Sequence, residues 1–371
     1  MATNSGYDFI IDLSNVCRSE ELGAPSGGAS LKCMALLEKA IARHLDGRSP
    51  VLFYIADKSL WPLLKSSGTA EREINDWKLR RQKWLVENDV ADGPILRMAS
   101  TEGGKVITRD TYRDHRRLHP WLQNNSEDFF GWARVEDQIV LVPRILEALS
   151  ESDVSRFSEQ RDMKSSQLDM SQKEDQRILE SLYQCQTVSC VLRQANPSYL
   201  PKPPNRRRRE PSVLECPQCR EPVREIGHVG RVAQFKFKIL ETGHTGRITF
   251  KVDSDVLIGR QDFINSLSSP TDDDREIVRS ISGQHLLVHV SPNVCKVADN
   301  NSSNGTEISR LNSEGTYSPP VALSTQLVGL NLNDKVYLGG AIELMRSGRK
   351  YGFSNLTEAP ILPNPGKTEV R

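Results

Sequence analysis

The sequence lacks three features that would each have assigned it to a broad class. No run of apolar residues approaches the ~18 that a membrane-spanning helix requires, so we expect neither a membrane span nor a membrane partner. Charge of one sign is also lacking: 49 basic and 48 acidic residues leave a formal net charge of +1, so any attraction to nucleic acid must be local. The seven cysteines are an odd number and follow no apolar signal segment, which favours a reducing, cytoplasmic compartment over a disulfide framework.

The length points to more than one domain. At 371 residues the chain exceeds the usual size of a single domain, and two domains with linkers are expected. The fold class that we predict is α/β plus all-β. Changes in composition place an α/β domain at 5–150, a polar and basic linker at 151–231, an all-β domain at 232–356 and a disordered tail at 357–371.

The α/β domain is predicted from an alternation of strand and helix patterns. Apolar runs predict strands at 7–13, 51–56, 105–108 and 139–142, and the stretches between and after them predict helices at 31–45, 70–88, 92–99 and up to about 149. A β-α-β-α order is typical of a parallel sheet with helices on both faces. Ligands in such sheets bind beyond the carboxyl ends of the strands.

Acidic side chains gather at that edge of the predicted sheet. Asp12, Asp57 and Asp110 lie at the ends of three predicted strands. Asp92 lies at the start of a predicted helix, and Asp114 lies in the turn after the strand at 105–108. Carboxylates held so close repel one another unless a divalent cation compensates them, and such oxygen ligands suit Mg²⁺ or Mn²⁺. The simpler interpretation of Asp57 is a turn or cap residue, and that of Asp114 is an ion pair with a neighbouring arginine.

Three of these acidic segments resemble a known family. Asp12-Leu-Ser-Asn15, Val90-Ala-Asp92 and Thr108-Arg-Asp110-Thr-Tyr-Arg-Asp114 are similar to motifs of the PIN-like NYN ribonucleases, the superfamily that holds the Regnase-type endoribonucleases. The resemblance implies a PIN-like α/β/α domain that cleaves RNA. It further implies a site in which one or two Mg²⁺ ions are held by Asp12, Asp92, Asp110 and Asp114, with Asn15 and Ser14 orienting the first acid or the scissile phosphate. Some relatives have a double acid where this chain has Asp92 followed by Gly93, so the number of metals stays open.

Phosphate attraction must come from cations beside these acids. A basic stripe follows the third strand and consists of Arg109, Arg113, His115, Arg116, Arg117 and His119. We predict that its arginines contact RNA.

The predicted linker contains two cysteine pairs. Cys216-Pro-Gln-Cys219 places two thiolates on one edge of a tetrahedron, as a zinc knuckle requires, and Cys185 with Cys190 would complete a Cys₄ zinc module over 185–219. His228 is the next candidate ligand, and the competing interpretation is two unrelated, reduced pairs. The basic run 197–211, with its four arginines at 206–209, is predicted to be an extended tether that is either merely solvated or in contact with RNA.

The C-terminal all-β part carries three further motifs. Ile258-Gly-Arg260, Ser282-Gly-Gln-His285 and Asn300-Asn-Ser-Ser-Asn304-Gly-Thr306 resemble the forkhead-associated (FHA) domain, an eleven-stranded β-sandwich that recognises phosphothreonine. The resemblance implies that Arg260 and Ser282 bind the phosphate, that Asn304 holds the peptide backbone of the ligand and that His285 supports the binding loops. Gly283 stands where many members carry a basic residue.

Together these observations predict a metal-dependent endoribonuclease that a phosphothreonine-containing partner protein recruits or regulates. Phosphorylation of Thr271 is one route to self-association, although an ordinary acidic loop is the simpler interpretation of that segment. The alternatives are a signalling adaptor whose nuclease-like half binds without cutting, and a nuclease acting on DNA.

Overall fold

The computed structural model describes residues 7–207, 210–292 and 294–351. The chain divides into two compact units, Met1–Leu149 and Ser150–Arg371. The predicted disordered tail at 357–371 and two arginines of the basic run, at 208 and 209, lie outside the described residues. Among the described helices, none is both long and apolar enough to cross a membrane.

The first unit is built on one six-stranded sheet. Its strands are β1 (Phe9–Asp12), β2 (Leu52–Asp57), β3 (Leu85–Asn88), β4 (Lys105–Ile107), β5 (Phe129–Val135) and β6 (Gln138–Pro143). Its helices are α1 (Leu13–Cys17), α2 (Lys32–His44), α3 (Leu60–Ser66), α4 (Glu71–Arg81) and α5 (Asp92–Glu102). The strand order is β3-β2-β1-β4-β5-β6, in which all neighbours are parallel except β5 and β6.

Residues of β1 alternate between two hydrophobic cores. Phe9 and Ile11 belong to the core that includes Leu37 of α2, whereas Ile10 belongs to the core that includes Ile95 of α5. Successive side chains of a strand point to opposite faces, so helices cover both faces of the sheet. The predicted α/β architecture is confirmed, and it places the carboxyl ends of β1, β2 and β4 along one edge.

The helix predicted over 70–88 is wrong at its C-terminal end. Helix α4 ends at Arg81, and the segment after it forms β3, which extends the sheet beside β2. The backbone N–H of Tyr54 donates a hydrogen bond to the carbonyl of Trp84 at 2.7 Å. Pairing with an open sheet edge therefore decides this segment, because intrinsic helix preference is a weak determinant that tertiary contacts override.

The end of the first unit also differs from the prediction. Residues 144–149 are not helical; Leu146 is buried and forms an isolated bridge with Asn125. Strand β5 was not predicted, and β6 pairs with it in the antiparallel sense. The sheet is therefore mixed rather than wholly parallel.

The second unit begins with helices and short strands. These are α6 (Glu151–Ser165), α7 (Lys173–Leu179), β7 (Ser181–Cys185), α8 (Val191–Ala195), β8 (Asn205–Arg207), β9 (Glu210–Glu215) and β10 (Val223–His228). Strands β7 and β10 form one small antiparallel sheet, and β8 and β9 form another.

A β-sandwich follows. Its strands are β11 (Val232–Ile239), β12 (Thr245–Lys251), β13 (Ser254–Ile258), β14 (Leu286–Val290), β15 (Cys295–Asp299), β16 (Thr306–Ser309), β17 (Val321–Ala322), β18 (Val328–Gly329), β19 (Lys335–Leu338) and β20 (Ile342–Arg346). Helices α9 (Arg260–Asn265) and α10 (Asp272–Val278) connect β13 to β14. The sheets have the orders β12-β11-β20-β19-β16-β17 and β13-β14-β15-β18, and every pairing in them is antiparallel.

One core lies between these two sheets. It contains Phe235 and Leu344 from the first sheet and Val288 and Val297 from the second. The predicted all-β sandwich is confirmed. The two sheets contain ten strands within the described residues, where the FHA resemblance implies eleven.

The first part of the predicted linker is folded and anchored within the second unit. Glu159 of α6 is fully buried, and its carboxylate accepts hydrogen bonds from the backbone N–H groups of Lys350 and Tyr351, each at 3.1 Å. Asp162, one turn further along α6, pairs with Arg349 at 3.3 Å. This segment differs from a solvated linker because its carboxylates bind residues 349–351, which follow β20. The domain limits stated above remain a prediction.

The basic run is not an extended tether where the structure describes it. Arg206 lies on β8 and binds Asp175, with Nε donating at 2.9 Å, and Arg207 binds Glu215 and Glu210, the latter at 3.1 Å. Both guanidiniums are held by carboxylates, so this structure does not support a role for them as exposed RNA contacts.

Candidate functional site

A cleft of about 700 Å³ lies at the carboxyl edge of the first sheet. Among its lining residues are six carboxylates and two guanidiniums: Asp12, Asp57, Asp92, Asp110, Glu20, Glu21, Arg18 and Arg109. Three of the four predicted metal-binding acids are thus brought together by the fold. Ser14 and Asn15 line the same cleft.

Asp12 ends β1 and is the most enclosed of these acids, with 4% of its surface exposed. One carboxylate oxygen accepts from the backbone N–H of Asn15 at 3.0 Å, and the other accepts from the hydroxyl of Thr108 at 2.9 Å. Burial raises the pKa of Asp12 to about 7, against these two hydrogen bonds, and the charges of Asp92 and Asp57 raise it further. A nearby cation would therefore stabilise the ionised form.

Asp110 is coupled to Asp12 through Thr108. The Thr108 hydroxyl donates to Asp12 and accepts from the backbone N–H of Asp110 at 3.0 Å. The side-chain oxygen of Asn15 accepts from the backbone N–H of Arg109 at 2.9 Å, which ties the end of β4 to α1. Burial raises the pKa of Asp110, and the charges of Asp92 and Asp114 raise it as well. Sequence reasoning quoted Thr108 within a motif but gave it no role.

Asp92 is the first residue of α5, as predicted, and one of its oxygens lies 3.5 Å from Nε2 of His115. Asp57 also lines the cleft, and its carboxylate accepts from the backbone N–H of Ala91, the residue before α5, at 2.7 Å; its interpretation as a turn or cap residue stays a prediction. Ser14 does not hydrogen-bond to the first acid. Its hydroxyl accepts from the backbone N–H of Asp57 at 2.8 Å.

Asp114 lies in a 3₁₀ turn, Arg113–His115, and is not among the residues that line the cleft. The turn follows Tyr112, a fully buried residue with a left-handed φ of 48°. Asp114 acts on the site at least through its charge, since it raises the pKa of Asp110. A direct metal bond from Asp114 stays a prediction.

The donor set of the cleft fits a hard divalent cation. Asp12, Asp92 and Asp110 offer only oxygen, and the two oxygens of Asp12 each keep lone-pair capacity beyond the hydrogen bond that they accept. Oxygen-only sites with room for water suit Mg²⁺ or Mn²⁺.

The predicted basic stripe does not act as one surface. Arg109 lines the cleft, and Arg113 is exposed on the turn. Arg116 is 3% exposed, and its guanidinium donates to backbone carbonyls, including Thr111 at 2.9 Å and Glu147 at 3.2 Å. A buried guanidinium saturated by carbonyl oxygens holds loops together, so the structure does not support RNA contact by Arg116.

Arg117 and His119 are half-buried. Arg18, which sequence reasoning missed, lines the cleft and lies with one nitrogen 3.6 Å from Asp57. Its position one residue after α1, at the edge that carries Asp12, is the signal that would have found it.

In the second unit, the three predicted phosphopeptide motifs lie on adjoining loops. Arg260 begins α9, and its Nε donates to the carbonyl of Ile281 at 3.0 Å, while its backbone N–H donates to the carbonyl of Ser282 at 3.1 Å. The hydroxyl of Ser282 accepts from the backbone N–H of Ser303 at 3.1 Å. The side-chain amide of Asn304 donates to the carbonyl of Ser280 at 2.8 Å.

His285 joins two of these loops from inside the protein. It is fully buried; Nδ1 accepts from the backbone N–H of Ser282 at 3.1 Å, and Nε2 lies 3.0 Å from the carbonyl oxygen of Gly305, to which it donates. Burial lowers the pKa of His285, which favours this neutral tautomer. The geometry is that of a support for the loops, as the FHA resemblance implies.

Two glycines shape this surface differently. A Cβ at Gly259 would lie 1.8 Å from the carbonyl oxygen of Gly283, so the close approach of the two loops requires glycine there. A Cβ at Gly283 would meet nothing within 4 Å. A side chain at position 283 would therefore meet no obstacle at its first atom.

Thr271 is the N-cap of α10. Its hydroxyl donates to Asp274 at 2.8 Å and accepts from the backbone N–H of the same residue at 3.2 Å. Asp274 is fully buried and also contacts His244 at 2.7 Å. Phosphorylation of Thr271 would have to replace this capping arrangement.

Solved structures similar to parts of this chain are of two kinds. A structure from an analysis of phosphothreonine-dependent FHA domain interactions is 24% identical and covers 31% of this chain and 95% of that chain, with a TM-score of 0.20. The FHA domain of human APLF, in complex with an XRCC1 bisphospho peptide, is 14% identical and covers 30% of this chain and 96% of its own, with a TM-score of 0.20.

The other kind is represented by the Arabidopsis thaliana nuclear protein-only RNase P 2 (PRORP2). It is 18% identical and covers 40% of this chain, with a TM-score of 0.31, and the match spans only 33% of the PRORP2 chain. No protein-family model and no curated protein matches the sequence. The solved structures similar to parts of this chain thus include an FHA domain and a protein-only ribonuclease.

The four predicted zinc ligands form one cluster. The sulfur atoms of Cys185, Cys190, Cys216 and Cys219 all lie within 4.8 Å of one another, and the Cys185–Cys219 and Cys190–Cys216 pairs are 3.5 and 3.8 Å apart. Four Zn–S bonds of ~2.3 Å in a tetrahedron place sulfurs roughly 3.8 Å apart. The fold therefore gathers a Cys₄ set that fits zinc, and His228 is not part of it.

Proposed function

We propose that the first unit is a Mg²⁺- or Mn²⁺-dependent endoribonuclease and that the β-sandwich binds a phosphothreonine-containing protein which recruits or regulates it. The observation that supports the nuclease is the convergence of Asp12, Asp92 and Asp110 in one open cleft, where burial and mutual repulsion raise the pKa of Asp12 to about 7. Such an arrangement is stable as three carboxylates only with a cation among them.

The chain's own residues have separate tasks in this proposal. Asp12, Asp92 and Asp110 would hold the metal; when bound, it would acidify a water nucleophile and offset charge on the phosphodiester under attack. Thr108 and Asn15 fix the relative positions of the acids, since they join the ends of β1 and β4. Arg109 would bind a backbone phosphate, because it lines the same cleft.

In contrast to the acidic cleft, the proposed site of the β-sandwich presents a positive charge, that of Arg260. Arg260 and Ser282 would hold the phosphate of a phosphothreonine, and Asn304 would hold the peptide backbone beside it. A guanidinium forms charge-assisted hydrogen bonds to phosphate, and hydroxyl and loop N–H groups complete such sites. The support given to these loops by His285 favours a site that is formed before the ligand arrives.

The decisive experiment offers a single-stranded RNA and a DNA of the same sequence to the full-length protein. Each is incubated with Mg²⁺, with Mn²⁺ or with EDTA, and the products are resolved by length. We expect RNA cleavage that requires the metal, is lost in Asp12→Asn and Asp110→Asn, and persists in Asp137→Asn, an exposed control in the β5–β6 turn. RNA binding should survive in the inactive variants.

Two other outcomes would replace the proposal. Cleavage of DNA in preference to RNA would make the protein a deoxyribonuclease. RNA binding without cleavage of either polymer under any of these conditions would leave the adaptor.

We propose that the Cys₄ cluster holds a structural zinc ion. Metal analysis of the purified full-length protein should report about one zinc per chain, and Cys216→Ser should lower that content and the thermal stability of the second unit. A stable preparation with full cleavage activity and almost no zinc would contradict the assignment.

A further inference from the structure

The walls of the acidic cleft carry two guanidiniums, and both already contact a carboxylate. Arg18 lies 3.6 Å from Asp57 and donates to the hydroxyl of Ser59 at 3.0 Å. Arg109 forms an ion pair with Glu21. Six carboxylates face these two cations in the cleft, so the guanidiniums decide whether a polyanion can enter.

Arg109 is held in one position from three sides. Its backbone N–H donates to Asn15 at 2.9 Å, its side chain donates to the carbonyl of Trp132 at 3.0 Å, and its guanidinium carbon lies 5.1 Å from the centre of the Trp132 ring. A preorganised guanidinium loses little freedom when it binds an anion. The residue next to it in sequence, Asp110, belongs to the proposed metal site.

Glu21 is held against Arg109 by contacts of its own segment. The backbone carbonyl of Glu21 accepts from Arg134 at 2.7 Å, and the hydroxyl of Ser19 accepts from the indole N–H of Trp132 at 3.0 Å. Both contacts anchor this segment to β5, the strand that also supports Arg109. These contacts hold the Glu21 carboxylate where it accepts from a guanidinium N–H of Arg109. Both side chains remain partly exposed, Glu21 at 46% and Arg109 at 37%.

Resting on the proposed ribonuclease function, we infer that Glu21 competes with the RNA backbone for Arg109. A phosphodiester displaces the Glu21 carboxylate when RNA enters the cleft, and Glu21 sets the affinity of the cleft for its substrate. The recognised group is the phosphate, so the effect is independent of base sequence. In this inference Glu21 tunes the affinity of the cleft for phosphate through its ion pair with Arg109 and has no part in holding the metal.

The matched control is Glu20, which lines the same cleft and loses the same charge on substitution but is not a partner of Arg109. Glu21→Gln and Glu20→Gln are made in the full-length Asp110→Asn protein, so that RNA stays intact in Mg²⁺. Binding of a fluorescent single-stranded RNA is then measured by anisotropy over a range of salt concentrations.

We expect Glu21→Gln to tighten binding about two- to fivefold more than Glu20→Gln, as release from an exposed ion pair permits. Arg109→Gln should weaken binding, lower the salt slope by about 0.7 and abolish the difference between the two glutamate variants. Thermal unfolding of each variant reports whether the fold is intact. Equal effects of the two glutamate variants, or no RNA binding by any protein tested, would overturn the inference.

Together with the cleavage assay on the protein that retains Asp110, this experiment separates the inference from the proposed function. If the protein never cleaves RNA yet shows the Glu21-specific gain in affinity, the nuclease proposal fails and the competition between Glu21 and the RNA backbone stands. If the protein cleaves RNA but the two glutamate variants bind it equally, the nuclease proposal stands and the inference about Glu21 fails.

Discussion

Asp12 in the first unit and Glu159 in the second are buried acids with opposite surroundings. Burial raises the pKa of each to about 7. Around Asp12 the neighbouring charges are Asp92 and Asp57, which raise the pKa further, whereas around Glu159 the charge of Arg349 and two backbone N–H groups lower it. Asp12 also lines an open cleft, and Glu159 is sealed. Burial alone therefore does not identify a site; like charges around an open space do.

The two predicted ligand sites differ in the same way. The cleft of the first unit gathers carboxylates, which suit a cation, while the loops of the sandwich present Arg260 beside hydroxyl and amide groups, which suit an anion. The sign of the charge left unbalanced in each place is what distinguishes a metal site from a phosphate site.

The largest effect that we expect concerns the sealed acid. Because the folded-state pKa of Glu159, about 7, lies above its ordinary value of 4.5, the unfolded state releases this proton first as pH rises. The stabilisation is complete below pH 4.5 and is lost towards pH 7, by at most about 3 kcal/mol. Urea unfolding of the full-length protein at several pH values measures it. Glu159→Gln should flatten the dependence, and an unchanged slope in this variant would assign the titration to another group.

The phosphate site is tested by removing its one proposed cation. Arg260→Ala deletes hydrogen bonds to a charged ligand that are worth about 1.5–3 kcal/mol, so affinity should fall about tenfold to a hundredfold. The probe is a mixture of phosphothreonine peptides with random flanking residues, compared with its unphosphorylated counterpart. Arg275→Ala, an exposed arginine on α10, should bind as the wild type does. Equal loss in both variants would mean that bulk charge and not the loop site attracts the peptides.

The coupling between the acids of the cleft is tested at Thr108. Thr108→Val keeps the shape of the side chain but removes both the donor to Asp12 and the acceptor for the backbone of Asp110. RNA cleavage should fall about tenfold, the low end of effects seen for groups that orient metal ligands. Thr108→Ser should restore most of the rate and the dependence on metal concentration. If valine and serine behave alike, the hydroxyl has no positioning role.

The smallest effect concerns the missing basic residue beside Ser282. Gly283→Lys places a cation on a position where an added Cβ would meet no atom within 4 Å. Affinity for the phosphothreonine peptides should rise about threefold, as one additional exposed charge contact permits. Gly283→Ala supplies the same backbone change without the charge and should leave affinity unaltered. A gain in the alanine variant would trace the effect to loop rigidity.

Strand periodicity located most of the candidate cleft in advance. Asp12, Asp57 and Asp110 lie near or just after the ends of predicted strands, and the carboxyl ends of parallel strands meet at one edge, so the pattern predicted their convergence. The segment at 85–88 was not recognisable, because it becomes a strand only through pairing with β2. Arg116 is a second case in which tertiary structure decided the outcome. Its place in a basic stripe predicted an exposed side chain, but loops fold around it and bury it.

The sequence by itself indicated which kinds of ligand to propose: spaced aspartates suggest a hard cation, two cysteine pairs suggest zinc, and three motifs suggest an anion-binding loop cluster. Each of these motifs is a short segment of the chain, and its chemistry can be read directly from residue types and spacing. Tertiary structure alone decided that Thr108 joins two of the acids, that Glu21 holds Arg109 and that the segment after Leu149 packs through Glu159. Each of these contacts joins residues far apart in the chain or on different elements, and only the folded packing brings such groups within hydrogen-bonding distance.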